Sequence, residues 1–485
     1  MPPKMPRPDL TKLSETEKDN LILHLLDTVD ALSTQVDKLS GQVVMLTAKV
    51  EKLEGQLARN SSNSSKPPSS DGLKKTNSLR QASGKPAGGQ KGRKGSTLRQ
   101  MEPTSVIPYP LPDQCELCHA ALPLEQARLW ARRQVIDVPA VAFDVIEHQV
   151  LAVTCRCGQL HTSAFPADVS EAVQYGPNVR ALGVHLTQGQ MLPFARAAEL
   201  IADLYGLTVS PGTLVAWVAE ASIALQGSAE QIASGLHCAP VIHGDESGLR
   251  VAGKLHWLHV AASDTLTWYG VHEKRGWDAM EAHGILPNRR GVLVHDCWAP
   301  YWKLDGTVHA LCNAHLLREL LYVTETTGQP WAQAMSNFLL DACKLREAVS
   351  AQGKRFDADE VQAFRTVYDG IVREGEADNP DLVAVDGKRR KQSTAANLLY
   401  RFRRHADAVL RFLDDFDVPF TNNEAERAVR MPKVKQKISG CFRSFEGAQH
   451  FCVIRSVLDS LRKQGHSMLT VLQRAFAGTP IQPTA

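Results

Sequence analysis

The 485-residue chain has no uninterrupted apolar run near the roughly 18 residues that a membrane-spanning helix requires, which excludes an integral helical membrane protein. Its opening, Met1 to Leu10, is rich in Pro and charge and has no apolar core leading to a small-residue cleavage site, so no secretory signal is expected and the expected home is the cytoplasm. Cysteine is sparse. Ten in a chain this long do not form a disulfide framework, and in a reducing compartment they serve as thiols or metal ligands. What is present, 43% hydrophobic and 22% charged residues, is globular composition with length for about three domains.

The net charge of +3 hides an asymmetry. Between Arg59 and Gln100 stand ten Lys/Arg against one acid, Asp71, so this stretch carries +9 and the remainder −6. A concentrated basic segment on a mildly acidic body suits a polyanion partner, because clustered cations release counterions from phosphates. The same stretch is rich in Ser, Asn, Gly, Pro and Lys and reads as a flexible tether, since it cannot bury enough apolar area to offset its ordering entropy.

Before it, Ile22, Leu25, Val29, Leu32, Val36, Leu39, Val43, Leu46, Val50, Leu53 and Leu57 recur in steps of three and four. With Ile or Val at most a-type positions and Leu at d-type, this heptad seam predicts a parallel two-stranded coil and hence self-association. After it come Cys115-x-x-Cys118 and Cys155-Arg-Cys157, two close pairs that suit the knuckles of a structural zinc site. The second pair is one residue short, and His119 or His161 could replace one of its thiolates. Strand-like alternation is expected between the pairs, from Arg133 to Val153. From Tyr175 to Gly227 the pattern is helical: a helix over Phe194–Leu204, a turn at Gly206, then Ser210 as N-cap and Pro211 at N1 of a helix over Leu214–Ala224. That is the outline of a helix-turn-helix, shared with ordinary helical hairpins.

From Ala239 the period shifts to strands. Pro240–Val251, Leu255–Ala262 and Thr265–His272 form a predicted meander, a helical stretch near Gly276–Gly284 follows, and the apolar run Gly291–His295 ends in Asp296. Asp245 likewise follows Val241-Ile242-His243-Gly244 and is expected at a strand end. A short strand Thr307–Leu311 precedes a helix beginning at Cys312. The segment from Pro330 to about Phe416 is helical apart from a polar stretch, Glu374–Lys391. A final helix opens with Asn422 or Asn423 as cap and is expected to end or kink at Pro432. Acids on two strands and one helix of a mixed sheet are what two-metal phosphoryl chemistry needs, and hard carboxylate oxygens favour Mg²⁺. With 52 acids in the chain, position alone leaves unrelated surface acids as the alternative.

These motifs together resemble the bacterial transposases of insertion sequence 66 type. The resemblance runs in order through the leucine-rich coil, the Asn-Ser-Ser linker, the cysteine module and Tyr175-Gly176-Pro177 with Ser210-Pro211-Gly212-Thr213-Leu214. It continues through Asp245-Glu246-Ser247, Val294-His295-Asp296-Cys297-Trp298, Cys312-Asn313-Ala314-His315 and Asn422-Asn423-Glu424-Ala425-Glu426-Arg427. It implies an α/β fold: a ribonuclease-H-like catalytic core with a helical insertion, preceded by an N-terminal coiled coil, a small Cys-rich zinc-type module and a helix-turn-helix-like region. The implied divisions are a dimerisation helix (1–58), a basic linker (59–105), the Cys-rich module (106–172), the helical DNA-binding region (173–235), the core's first part (236–330), the insertion (331–416), the core's second part with the Glu helix (417–463) and a tail (464–485).

The resemblance further implies Asp245, Asp296 and Glu426 as catalytic ligands of Mg²⁺ or Mn²⁺, and Cys115, Cys118, Cys155 and Cys157 as ligands of structural Zn²⁺. Glu246 and Glu424 adjoin the favoured acids: Glu246 would face the opposite side of the strand, and Glu424 lies about 200° around the helix from Glu426. Arg427, Arg430, Lys433, Lys435, Lys437 and Arg443 form a basic run suited to gripping DNA phosphates, and His315 and Arg318, one helical turn apart, are candidate phosphate contacts. The implied function is two-metal cleavage at element ends and strand transfer into target DNA, by a homodimer or higher oligomer at the nucleoid, with element-encoded accessory proteins as possible partners. The competing readings are a noncatalytic dimeric DNA-binding protein and a structure-specific nuclease of the same fold.

Overall fold

The computed structural model describes residues 9–60, 62–64, 100–136, 143–287, 289–380 and 392–484. In chain order they form α1 (Glu15–Leu57), β1 (Ala152–Thr154), β2 (Leu160–Thr162), α2 (Pro177–Val184), α3 (Phe194–Tyr205), α4 (Pro211–Cys238), β3 (Val241–Val251), β4 (Lys254–Ala262), β5 (Thr267–His272), α5 (Trp277–His283), β6 (Gly291–His295), β7 (Thr307–Leu311), α6 (Asn313–Thr327), α7 (Pro330–Ser350), α8 (Ala358–Asp378), α9 (Thr394–Arg404), α10 (Ala406–Asp414), α11 (Asn423–Ser439), α12 (Phe445–Lys463) and α13 (Met468–Phe476). No described helix is long and apolar enough to cross a membrane. The basic residues from Lys66 to Arg99, and the polar stretch from residue 381 to 391, lie outside the described residues. The chain divides into two units, one of Met1–Leu79, Pro240–Gly244 and Arg290–Asn423, the other of Arg80–Ala239, Asp245–Arg289 and Glu424–Ala485.

In the first unit the opening of β3 runs parallel to β6 (Val241 with Val292, His243 with Val294), and β6 runs parallel to β7 (Gly291 with Thr307, His295 with Leu311). Ile242, Leu293 and Val294 are fully buried, as near-continuous apolar strands in a parallel ladder demand. Helices α6 to α10 enclose a separate core of Trp331, Met335, Leu339, Tyr368, Phe402 and Phe412. Helix α1 is a single 43-residue helix opened by a capping box, in which the Ser14 backbone N–H donates to Glu17 Oε2 at 2.8 Å. Its seam is open to solvent, with Leu25, Val29, Leu32, Val36 and Leu39 each at least half exposed. Only its end is anchored among the contacts seen: the Tyr322 hydroxyl on α6 donates to the Gly55 carbonyl at 3.0 Å, and the Arg59 guanidinium lies over the Tyr322 ring.

In the second unit the rest of β3 turns into β4 through Ala252-Gly253, both at positive φ (48° and 79°), the backbone that a two-residue hairpin with right-handed strand twist requires. β4 pairs antiparallel with β5 from Trp257–His272 to Ala262–Thr267. The strand order is β5-β4-β3-β6-β7. The outer edge of β5 is covered by α12: the backbone N–H groups of Thr267 and Tyr269 donate to the hydroxyls of Ser460 and Ser456, at 2.8 and 2.9 Å. Serines one helical turn apart thus satisfy alternate donors of an edge strand that would otherwise template further pairing.

Four expectations change. Residues 464–485 are not merely a tail, because α13 buries Met468, Val471, Leu472 and Ala475 and packs on α2. The alternation from Arg133 to Val153 yields no strand in its described residues before β1, because a period-2 pattern forms a strand only where a partner supplies the ladder. Of the two outcomes expected at Pro432, an end is excluded, because helix α11 continues through it to Ser439. Finally, α4 starts as read, with the Ser210 hydroxyl accepting from the Thr213 N–H at 3.0 Å, but runs 28 residues to Cys238. It buries Leu214, Trp217, Val218, Ala221 and Leu225 along its length, and has no Lys or Arg. Burial of that face packs the helix into the core along its length, well beyond the expected Ala224 end.

Candidate active site

Asp245 and Glu426 belong to the second unit and Asp296 to the first. Asp245 is not at a strand end as expected: β3 continues six residues beyond it, because after Gly244 the strand takes its ladder from β4. It is half-buried, and its Oδ1 accepts the Glu246 backbone N–H at 2.8 Å, which fixes the carboxylate's rotation. The neighbouring Glu246 side chain is 1% exposed and paired with Arg275, at 3.0 Å from Nε and 2.8 Å from Nη2. The Arg275 guanidinium in turn lies 5.0 Å from the centre of the Trp257 ring.

Helix α11 is brought to the Asp245 strand by direct bonds. Lys433 Nζ and Gln436 Nε2 both donate to the Gly248 carbonyl of β3, at 2.8 and 3.0 Å. Ala425, next to Glu426, is fully buried in the core that also holds Leu249, Val251 and Phe451. Burial lowers the Lys433 ammonium, and the Asp245 carboxylate facing it partly restores it. Glu424 is engaged elsewhere, 3.2 Å from Lys463 Nζ and 3.3 Å from Arg427 Nη1. Both neighbouring acids are therefore held in ion pairs.

In the first unit Asp296 stands one residue past the end of β6, the strand end the sequence suggested. Its Oδ1 accepts the Trp298 N–H at 3.0 Å across Cys297, which takes a left-handed φ of 71° that non-glycine residues rarely adopt. The preceding His295 is fully buried, its Nδ1 accepting the Cys297 N–H at 3.1 Å and its Nε2 lying 3.1 Å from His309 Nδ1. An accepting Nδ1 leaves the proton on Nε2, and burial, reinforced by His309 and His405, holds the ring neutral far below its ordinary value. The tight turn that aims Asp296 is thereby fixed from both sides.

Asn422 is a residue whose role sequence reasoning missed. Both its side-chain atoms go to β3, Nδ2 donating to the Gly244 carbonyl at 2.8 Å and Oδ1 accepting from His243 Nδ1 at 2.9 Å. Its backbone N–H donates to Cys312 Sγ at 3.2 Å. The expected capping residue ties the approach to α11 to the strand that leads into Asp245. Its adjacency to the Glu motif was a signal, but its partner 179 residues away was not readable.

The basic run is not uniform. Lys435 is buried, with its ammonium 5.2 and 5.6 Å from the centres of the Phe442 and Phe451 rings, and burial lowers it to about 8. The expectation that it grips DNA is corrected: an ammonium enclosed by two rings cannot reach a phosphate. Lys433 is held by β3, and Arg427 by Glu424. Arg430, Lys437 and Arg443 face solvent. On α6, burial and then Arg318 push His315 down to about 3, so it is neutral at physiological pH, and Arg318 Nε donates to the Ala314 carbonyl at 3.2 Å.

The four candidate zinc cysteines sit in two small turns. A bridge between Gln114 and Ala121 frames Cys115 and Cys118, and the hairpin of β1 and β2 frames Cys155 and Cys157. Within each turn backbone N–H groups point at sulfur: those of Cys118 and Leu117 lower Cys115, and that of Cys157 lowers Cys155. Such donors favour thiolates and so fit a soft cation. The pairs remain separate, with no three of the four sulfurs within 4.8 Å of one another.

Residues 5–99 match a family of unknown function. Over 335 residues, 63% of this chain, the sequence is 24% identical to an uncharacterized protein, y4jD, of Sinorhizobium fredii (strain NBRC 101917 / NGR234), and the match spans 64% of that relative's length. Residues 172–450, which contain β3, β6, α6 and α11 and more than half of the chain, match the Transposase IS66 family. By that match the chain belongs to the Transposase IS66 family.

Proposed function

We propose that this protein is a DNA transposase in which Asp245, Asp296 and Glu426 hold two divalent ions for cleavage at element ends and strand transfer into target DNA. The observation that carries the reading is topological. Asp245 and Asp296 each follow by two positions the residue pair, His243 and Val294, that closes the ladder between adjacent parallel strands. The order β5-β4-β3-β6-β7, a hairpin-linked meander continued by two parallel strands, supports a ribonuclease-H-like core, and α7 to α10 supply the helical insertion.

The donor set is hard oxygen, which fits Mg²⁺ or Mn²⁺. Bound there, a metal pair would activate water or a 3′-hydroxyl and stabilise the leaving oxygen. The chain's own contribution is orientation: backbone N–H groups fix the Asp245 and Asp296 carboxylates, and Lys433 and Gln436 hold the Glu426 helix against β3. Arg430, Lys437 and Arg443 would hold flanking phosphates. The open seam of α1 would pair with a second copy, and Zn²⁺ would draw the two cysteine turns together. Its work on DNA would place the protein at the nucleoid.

The test is strand cleavage by the purified full chain on DNA carrying the terminal repeats that border its coding sequence. Wild type should nick in Mg²⁺ and then join the freed 3′ end to target DNA, and Asp245→Ala should do neither. Nicking retained by Asp245→Ala would sink the reading. Binding without nicking by wild type would leave a DNA-tethering dimer, and nicking without joined products would leave a nuclease.

A further inference from the structure

Pro432 lies inside α11, seven residues before its end, where an ordinary residue would donate its N–H to the carbonyl four positions earlier. Proline has no N–H, and its ring crowds that carbonyl, so the helix should be left with an unsatisfied acceptor at Ala428. The structure supplies a donor from another element. The Tyr269 hydroxyl, on β5, lies 3.1 Å from the Ala428 carbonyl. The same hydroxyl is 2.7 Å from Asp459 Oδ2, so its one proton serves two acceptors.

That hydroxyl is itself fixed. Asp459 accepts from Arg455 Nη2 at 2.6 Å on both oxygens, and Arg455, fully buried, also donates from Nη1 to the carbonyls of Gln188 and Gly189. The Tyr269 backbone is held by Ser456 one turn from Asp459. Burial, and then the Asp459 carboxylate, keep the phenol protonated far above its ordinary range, so it remains a donor at every working pH. Two residues upstream of the repaired carbonyl stands Glu426.

We propose that Tyr269 is a positioning residue for Glu426: its hydroxyl replaces the hydrogen bond that Pro432 removes and so sets the course of α11 over the turn that carries Glu426. The role rests on the reading of Glu426 as a metal ligand. It goes beyond that reading by assigning the helix's register to a tyrosine on the far side of the meander.

The two residues can be tested against each other, because Pro432→Ala restores the N–H that Tyr269 stands in for. Amide hydrogen exchange is measured on the full chain without metal or DNA for wild type, Tyr269→Phe, Pro432→Ala and the double variant. Tyr269→Phe should speed exchange over residues 425–431 about tenfold, the weight of one hydrogen bond, while α4 keeps its protection. The double variant should return that segment to wild-type protection. In parallel, Tyr269→Phe should raise the Mg²⁺ concentration needed for half-maximal nicking, and the double variant should bring it back. A purely structural tyrosine would loosen α4 and α11 alike and would not be rescued by Pro432→Ala; either result overturns the proposal. Should wild type fail to nick at all, the transposase reading falls, while the exchange result still decides whether Tyr269 holds α11.

Discussion

Glu246 and Arg275 are locked together one residue after Asp245, with the glutamate side chain sealed from solvent and the guanidinium lying on Trp257. Alternation along β3 puts the two acids on opposite faces, and the faces differ in chemistry: one ends in a buried glutamate paired with a partly exposed arginine, the other in a half-buried carboxylate beside Lys433. A motif of two adjacent acids thus contains one structural and one candidate catalytic group.

Substitution should separate them. Glu246→Gln replaces a buried charged acceptor of the partly exposed Arg275 guanidinium and should cost about 2 kcal/mol of stability, the weight of a charge-assisted hydrogen bond. Asp245→Asn keeps the side chain's size, should change stability by no more than about 1 kcal/mol, and should reduce nicking to background. Thermal melts and nicking assays on both variants check this, and a stable Glu246→Gln with full loss of nicking would reverse the assignment.

The basic run should divide in the same way. Lys437→Ala and Arg443→Ala should each lower the slope of log affinity against log salt by about one, because each removes a phosphate contact. Lys435→Met should leave that slope unchanged, since its ammonium is enclosed by Phe442 and Phe451. Filter-binding titrations at several salt concentrations give the three slopes directly.

Self-association should depend on the seam of α1. Leu39→Lys keeps good helix propensity but puts a charge at a d-type position, so it should dissociate the oligomer without loss of helical signal. Sedimentation velocity with circular dichroism reads both quantities, and unchanged sedimentation would show that another surface dominates.

Acid should destabilise the fold well before carboxylates titrate. Burial holds His259 down to about 4, and His283 and His315 down to about 3. Between their ordinary value of about 6.5 and these depressed values, the unfolded chain binds protons that the folded rings refuse, so stability is full above about pH 6.5 and falls as pH falls. Each such ring is worth on the order of 1–3 kcal/mol across that window. Melts from pH 7 to 4.5 should show a steep decline, and His259→Asn should flatten it.

Much of the scaffold was legible because its signals are local. The Ala252-Gly253 turn between apolar runs, the Ser210-Pro211 helix start and the apolar strand ending before Asp296 all appear where their residue types require. What misled was also local. Pro432 reads as a helix stop or kink when its own neighbours alone are considered, and α4 reads as a short helix because the cap is clear and the far end is not. The six basic residues after Glu426 look equivalent in one dimension.

By itself the sequence determined the order of helices and strands, the heptad seam, the cysteine pairs and the set of acids available for chemistry, since periodicity and spacing are properties of neighbouring residues. Tertiary structure alone decided which Lys is buried between two rings, which glutamates are consumed by ion pairs, where the Asn422 side chain goes and how α11 tolerates a proline. The reason is physical: burial and hydrogen-bond satisfaction depend on partners such as Tyr269 and Ala428, or His243 and Asn422, separated by more than a hundred residues, and no local pattern records who those partners are.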